Sequence, residues 1–206
     1  MKKAKEILEK YIPAEALDEV IKLLYSHQDL SLKITRKRHS KLGDFKRISP
    51  YQYRISINNN LNKYQFLITL LHEIAHYLTL KKHGTNVKPH GKEWKKIYAE
   101  LLESYLTKGI FPPDIHVPLS KYALNPKATT AGSGELYLAL IKYDKENNGH
   151  LKHVFELKTH EKFQTEKGEI YELLTKRRTR YICKRLSNGK SYLIHKNMKV
   201  LPIESL

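Results

Sequence analysis

The sequence predicts an α+β fold: helices around a small antiparallel sheet, followed by a small all-β module. Three observations carry that prediction. An apolar face at helical spacing runs through Leu67, Leu70, Leu71, Ile74, Ala75 and Leu78. Apolar and polar residues alternate through Leu30, Leu32 and Ile34, and again through Tyr51, Tyr53, Ile55 and Ile57. After residue 134 the helical period gives way to short strand-like runs separated by turn residues.

Taken in order, residues 3 to 26 read as helical, with Ile7, Leu8, Tyr11, Ala16, Val20, Leu23 and Leu24 three or four apart and an interruption at Pro13, a residue suited to the first turn of a second helix. The two alternating runs are strands, and a third is expected at about Lys41 to Ile48. Helical period returns at Asn62 or Lys63 for a core helix. A loop from Lys81 to Pro89 leads to a second amphipathic helix through Trp94, Ile97, Tyr98, Leu101, Leu102 and Tyr105, which Gly109 and Pro112-Pro113 end. Residues 1–122 therefore form the main domain. The breaker-rich stretch 123–134 reads as a linker. Residues 135–206 read as a β-rich basic module with strands at Leu136 to Ile141, Val154 to Leu157, Ile170 to Leu174, Thr179 to Cys183 and Tyr192 to Ile194, and turns at Asn147-Asn148-Gly149 and Ser187-Asn188-Gly189. Its expected core is Leu138, Ile141, Phe155, Tyr171, Tyr181 and Leu193.

The 206 residues are 40% hydrophobic, enough for a packed core. The single cysteine, Cys183, cannot form an internal disulfide. No run approaches the roughly 18 apolar residues that cross a bilayer, and the charged start Met1-Lys2-Lys3 breaks into Glu6, Glu9 and Lys10 where a signal peptide is apolar. A soluble cytoplasmic protein without a membrane partner is the expectation. Thirty-eight Lys and Arg against 21 Asp and Glu leave a net charge of +17, which suits a polyanionic partner through counterion release. The excess is mainly lysine, which attracts phosphate without the planar fork that arginine offers.

The core helix contains His72-Glu73-Ile74-Ala75-His76, an H-E-x-x-H pattern. Side chains four apart on a helix differ by about 40° in azimuth, so both imidazoles project from one side and can share an ion. Glu73 lies about 60° from His76, within reach of a water on that ion without being a ligand. Hydrolytic zinc chemistry has these needs, because zinc acidifies water and a carboxylate accepts its proton. For 11 His and 16 Glu in this length, about 0.04 such strings arise by chance. A catalytic zinc takes a third protein ligand. The metzincin arrangement fails, since Thr79 and Lys82 occupy its glycine and histidine positions. His83 sits near the helix end as a surface residue. Glu93, Glu100 and Glu103 are further candidates that no spacing selects. His90 is the better choice, because antiparallel return of the second helix brings it beside the His72/His76 face.

Leu71-His72-Glu73-Ile74-Ala75-His76, followed by His90-Gly91-Lys92-Glu93-Trp94, resembles the SprT-like (Spartan-related) zinc metalloprotease family over roughly residues 1 to 115. The resemblance implies a zincin-like domain with one catalytic Zn2+ on His72, His76 and His90, and Glu73 as general base. It also implies an endopeptidase acting on DNA-associated or DNA-crosslinked proteins, and hence a setting in DNA repair. Paired CxxC motifs of the zinc ribbon in many bacterial relatives are missing, since only Cys183, in Tyr181-Ile182-Cys183-Lys184-Arg185, is present.

Basic residues cluster at Lys33, Arg36, Lys37, Arg38, Lys41, Lys46 and Arg47, and at Lys176, Arg177, Arg178, Arg180, Lys184 and Arg185. Arg36, Lys37, Arg38, Arg177, Arg178 and Arg180 are the candidate DNA contacts, with Tyr51, Tyr53, Phe163 and Tyr181 as candidate stacking platforms. The expected partners are protein substrates and DNA of either strandedness. Two other readings stand beside this one: a zinc-containing nucleic-acid-binding protein without proteolysis, and a metallopeptidase with no DNA role.

Overall fold

A computed structural model describes residues 2–38, 40–129, 134–144 and 151–203. The chain divides into two compact units, Met1–Lys145 and Glu146–Leu206, each with its own hydrophobic core. The division falls after the predicted linker, because Leu136 to Ile141, expected as a strand of the second module, is helical and belongs to the first unit. The turn predicted at Asn147-Asn148-Gly149 and residues 130–133 of the linker lie outside the described residues.

In the first unit, α1 (Lys2–Leu8) and α2 (Leu17–Tyr25) flank a 3₁₀ turn at Ala14–Ala16 that follows Pro13. β1 (Leu30–Thr35), β2 (Gly43–Ser49) and β3 (Gln52–Asn58) form a sheet in the order β1-β3-β2. β2 pairs antiparallel with β3, but β1 pairs parallel with it, Leu30 opposite Tyr53 and Ile34 opposite Ile57. The sheet is therefore mixed rather than antiparallel, a pairing that period-two alternation within single strands does not encode. Tyr53, Ile55 and Ile57 alternate onto the core face of the central strand.

α3 (Lys63–His83) crosses the core face of β2 and β3. It starts at Asn62, whose Oδ1 accepts the Gln65 N–H at 2.9 Å, an N-cap that satisfies one of the helix's orphan donors. It ends at Gly84, whose φ of 71° suits the glycine. Phe66, Leu67, Leu70, Leu71, Ile74 and Ala75 are fully buried. α4 (Lys92–Leu106) packs Trp94, Ile97, Tyr98, Leu102 and Tyr105 against it.

Two helices escape the sequence reading. α5 (Pro113–Ala123) starts where Pro112-Pro113 reads only as a stop; proline suits a first helical turn as well as it ends a helix, and Ile115, Leu119 and Tyr122 are buried at helical spacing. α6 (Gly134–Ile141) buries Leu136 and Leu140, four apart, while Leu138 is exposed. A short apolar run has no period to separate helix from strand. The buried Asn62 ties this helix down, its Nδ2 donating to Leu140 O at 2.9 Å and to Asp144 Oδ1 at 2.8 Å.

The second unit is a six-stranded antiparallel sheet in the order β4-β9-β5-β6-β7-β8. The strands are β4 (Lys152–His153), β5 (Lys162–Gln164), β6 (Ile170–Thr175), β7 (Arg180–Arg185), β8 (Ser191–His195) and β9 (Lys199–Ile203). The last three predicted strands correspond to β6, β7 and β8. Val154–Glu156 is a 3₁₀ turn instead of a strand; β4 and β5 are two and three residues long and β9 is a short run with Pro202 inside it, so none gives an alternation long enough to read. The core is Val154, Leu157, Phe163, Leu173, Tyr181, Cys183, Ile194 and Val200. Of the six residues expected there, Tyr181 is in it, Phe155 and Tyr171 pack against it, and Leu193 is exposed; Leu138 and Ile141 belong to the first unit. Cys183 is fully buried, which pushes its thiol up to about 11. Among the described residues no helix is long and apolar enough to cross a membrane.

Candidate metal centre

His72 and His76 stand one turn apart on α3, partly buried. His90 reaches them from the turn before α4. There the Gly91 N–H donates to Lys88 O at 2.9 Å, with Pro89 and His90 between. Proline at the second position and a positive φ at the third make this a type II turn, and His90 supplies that φ at 57° without being glycine. Left-handed backbone on a non-glycine residue costs of order 1 kcal/mol and persists where the surroundings fix it. Gly91 is required by space, since a Cβ there falls 2.9 Å from Lys88 O.

The turn brings three Nε2 atoms together: His72 to His76 at 3.3 Å, His72 to His90 at 3.2 Å, and His76 to His90 at 3.0 Å. Each Nε2 has one in-plane site, a proton or a lone pair, so three that converge cannot all satisfy one another. Nitrogens bound at about 2.0–2.1 Å to one tetrahedral zinc lie roughly 3.3–3.4 Å apart, close to these spacings. The donor set thus fits a divalent ion of borderline softness. It is the one group of three potential ligands found among the described residues. His83, Glu100 and Glu103 are exposed and stand outside it, and Glu93 lies near Lys92.

Trp94, the chain's only tryptophan, forms the floor of this cluster. Its ring lies 4.7 Å from His72, 5.3 Å from His76 and 4.6 Å from His90, centroid to centroid. It is buried with its Nε1 unpartnered. Tyr98 packs behind it at 4.9 Å and donates its hydroxyl to Ile68 O at 3.1 Å, so the rings rest on an apolar, fixed base. The sequence shows both aromatics only as part of an amphipathic face.

Burial and the neighbouring histidines hold His72 down to about 3; burial, with His90 beside it, holds His76 down to about 4, and burial lowers His90. The rings are neutral at neutral pH, as ligands must be. Glu73, only 6% exposed, is pushed up to about 8, first by burial and then by Asp44, against the opposing pull of Arg38 and Lys41. Among the described residues nothing donates a hydrogen bond to it. These shifts oppose each other in stability. Between about pH 4 and 6.5 the unfolded histidines bind protons that the folded ones refuse, so stability rises with pH; between about 4.5 and 8 the folded Glu73 holds a proton that the unfolded one releases, so stability falls with pH. At least two histidines outweigh one glutamate below pH 6.5, and only the glutamate acts above it. Metal-free protein is therefore expected to show maximal stability of its first unit near pH 6.5, measured by urea unfolding across pH 4.5–8.5. In Glu73→Gln the decline above 6.5 should be absent.

The candidate nucleic-acid residues divide. Arg36 and Lys37 are exposed after β1, and Arg177, Arg178 and Arg180 are exposed around the start of β7. Arg38 is not displayed in this way: its guanidinium donates to Asn58 Oδ1 and to Ser56 Oγ and O, so it serves the fold of the sheet. Of the four proposed stacking aromatics only Tyr51 is exposed, at 83%. Tyr53, Phe163 and Tyr181 are core residues, as aromatics at strand spacing commonly are.

The model of the SprT-like family matches residues 11–116, which span α2 through the beginning of α5 and include all three histidines. No curated protein and no solved structure matches the chain.

Proposed function

Since the chain belongs to the SprT-like family, a zinc-dependent metallopeptidase family, we propose that it is a zinc endopeptidase acting on proteins associated with or crosslinked to DNA. The convergence of three Nε2 atoms within 3.3 Å on a floor of Trp94 carries the reading. His72, His76 and His90 would hold the ion. When bound there, zinc supplies Lewis acidity that brings the pKa of a water towards about 7 and polarises a peptide carbonyl.

The rest of the chemistry belongs to the chain's own side chains. Burial alone keeps Glu73 protonated at neutral pH, but a cation held by the histidines would favour its ionised form; that carboxylate takes the proton of the attacking water on one oxygen and returns it to the departing amine nitrogen. Its burial keeps competing solvent away from that oxygen, and among the described residues no donor occupies its lone pairs. The three imidazoles stay neutral because burial and proximity disfavour their protonation. Trp94 and Tyr98 block solvent behind them.

The DNA part rests on the net charge of +17 and on the exposed Arg36, Lys37, Arg177, Arg178 and Arg180. Casein and histone cleavage with and without single-stranded DNA tests both parts. Cleavage that disappears with a chelator and returns with zinc supports the peptidase; a zinc-loaded protein that binds DNA and cleaves nothing favours the binding module. DNA affinity should fall with salt at a log–log slope of about −0.7 per neutralised phosphate on a single strand. A slope near zero beside zinc-dependent cleavage favours a peptidase with no DNA role.

A further inference from the structure

The side chain of Glu73 is seated directly against the first residue of β2. A Cβ built on Gly43 falls 2.5 Å from Glu73 Oε1, 2.9 Å from Glu73 Cγ and 2.8 Å from Thr69 Cγ2. The backbone of Gly43 is not in the left-handed region, so an L-residue fits it conformationally, and what demands glycine is the volume taken by the Glu73 side chain and the Thr69 methyl. The residue before it is fixed by a buried clamp. Asn58, 1% exposed, donates from Nδ2 to Arg38 O at 3.1 Å and to Lys41 O at 2.9 Å, and its N–H donates to Leu42 O at 2.9 Å. Arg38 closes the clamp from the other side, donating from Nε to Asn58 Oδ1 at 2.8 Å, from Nη1 to Ser56 Oγ at 3.0 Å and from Nη2 to Ser56 O at 3.1 Å. A fully bonded buried amide of this kind specifies one backbone path.

We infer that Gly43, held by the Asn58–Arg38 clamp, is the positioning residue for the Glu73 carboxylate: it sets where the general base stands and does not contribute to holding the metal. The inference rests on the peptidase reading. It separates two functions that share α3, since the imidazoles and Trp94 lie on residues the clamp does not touch. A methyl group on Gly43 meets the Oε1 and Cγ of Glu73 and the methyl of Thr69; Thr69 is β-branched and its hydroxyl is tied to Gln65 O at 2.7 Å, so the longer Glu73 side chain is the part that gives, and its carboxylate is displaced.

The test uses the whole zinc-loaded 206-residue chain with Gly43→Ala, Arg38→Lys, Glu73→Asp and the double variant Gly43→Ala/Glu73→Asp. Zinc affinity is read by chelator competition, kcat and KM on a fluorogenic peptide, and folding by thermal melting. Gly43→Ala should keep zinc affinity and KM within about threefold and lose about 100-fold in kcat, the scale of an ångström-sized misplacement of a reacting group. Arg38→Lys, which keeps the charge that acts on Glu73 and loses the fork that closes the clamp, should lower kcat by roughly three- to tenfold with the same KM, and it decides the matter should Gly43→Ala fail to fold. Glu73→Asp should cost at least tenfold less on the Gly43→Ala background than on the parent, because the shorter side chain leaves room for the methyl. Unchanged kcat, costs that multiply independently, or a loss that follows zinc affinity would overturn the inference alone. A parent chain with no Glu73-dependent cleavage would overturn the peptidase reading and this inference with it.

Discussion

Glu73→Gln is expected to lower peptide cleavage by about 10²–10⁴-fold, the range that a positioned general acid–base supplies, while zinc content stays at one ion per chain. The amide is nearly isosteric with the acid, and Glu73 is buried beside Gly43 with no hydrogen-bond donor to it among the described residues, so the substitution keeps the shape and removes the ability to accept and return a proton. Stability should be equal or slightly higher at pH 8, because the carboxyl pushed up to about 8 by burial no longer has to ionise inside the fold. The measurement is a steady-state rate beside metal analysis of the same preparation. Equal rates in the two proteins would remove Glu73 from the mechanism; loss of zinc together with rate would make it a structural residue.

The second large effect is thermal. Zinc at a thousand times its dissociation constant should stabilise the unit that binds it by about 4 kcal/mol. For a unit of this size, roughly 2–4 °C per kcal/mol gives an upward shift of about 8–16 °C. His72, His76 and His90 all lie in Met1–Lys145, and the core of Glu146–Leu206 shares no residue with that unit's core. Calorimetry should therefore show one transition that moves with zinc and one that does not. His90→Ala should abolish most of the shift, because losing one of three ligands forfeits roughly a third of a binding energy that reaches about 10–16 kcal/mol in four-ligand sites. Two transitions that move together would contradict confinement of the metal to the first unit.

The parts of this molecule legible in the sequence are those written in a long period or a fixed spacing. The face through Leu67, Leu71, Ile74 and Leu78 is long enough to identify α3, and the spacing of four between His72 and His76 places both rings on one side of it. His90 was reachable because only one loop separates it from that helix. Illegible parts depend on contacts between distant segments. The parallel pairing of β1 with β3 is set by how the chain returns, and α6 is helical because Leu136 and Leu140 find the first core. Arg38 and the neighbouring Lys37 look alike in sequence, yet only the register of Asn58 and Ser56 on β3 makes Arg38 part of a clamp. Gly43 carried no signal, since the need for a missing side chain is visible only when its neighbour's carboxylate is in place. Trp94 reads as core from its helical spacing, and it is core; that it also underlies three imidazoles is a fact about position.

The type II turn at Lys88–Gly91 has a consequence for how the protein tolerates change. Two histidines ride on a stiff rod and the third is presented by its own prefabricated corner, so the stretch between them, Gly84 to Val87, is only a tether. Lengthening that tether by a few residues leaves both halves of the cradle intact, as loop-closure costs grow slowly with length. A single residue inserted between Pro89 and Gly91 would instead turn the third imidazole away from its mates. The segment most open to divergence and the segment least able to bear it are thus immediate neighbours in the chain.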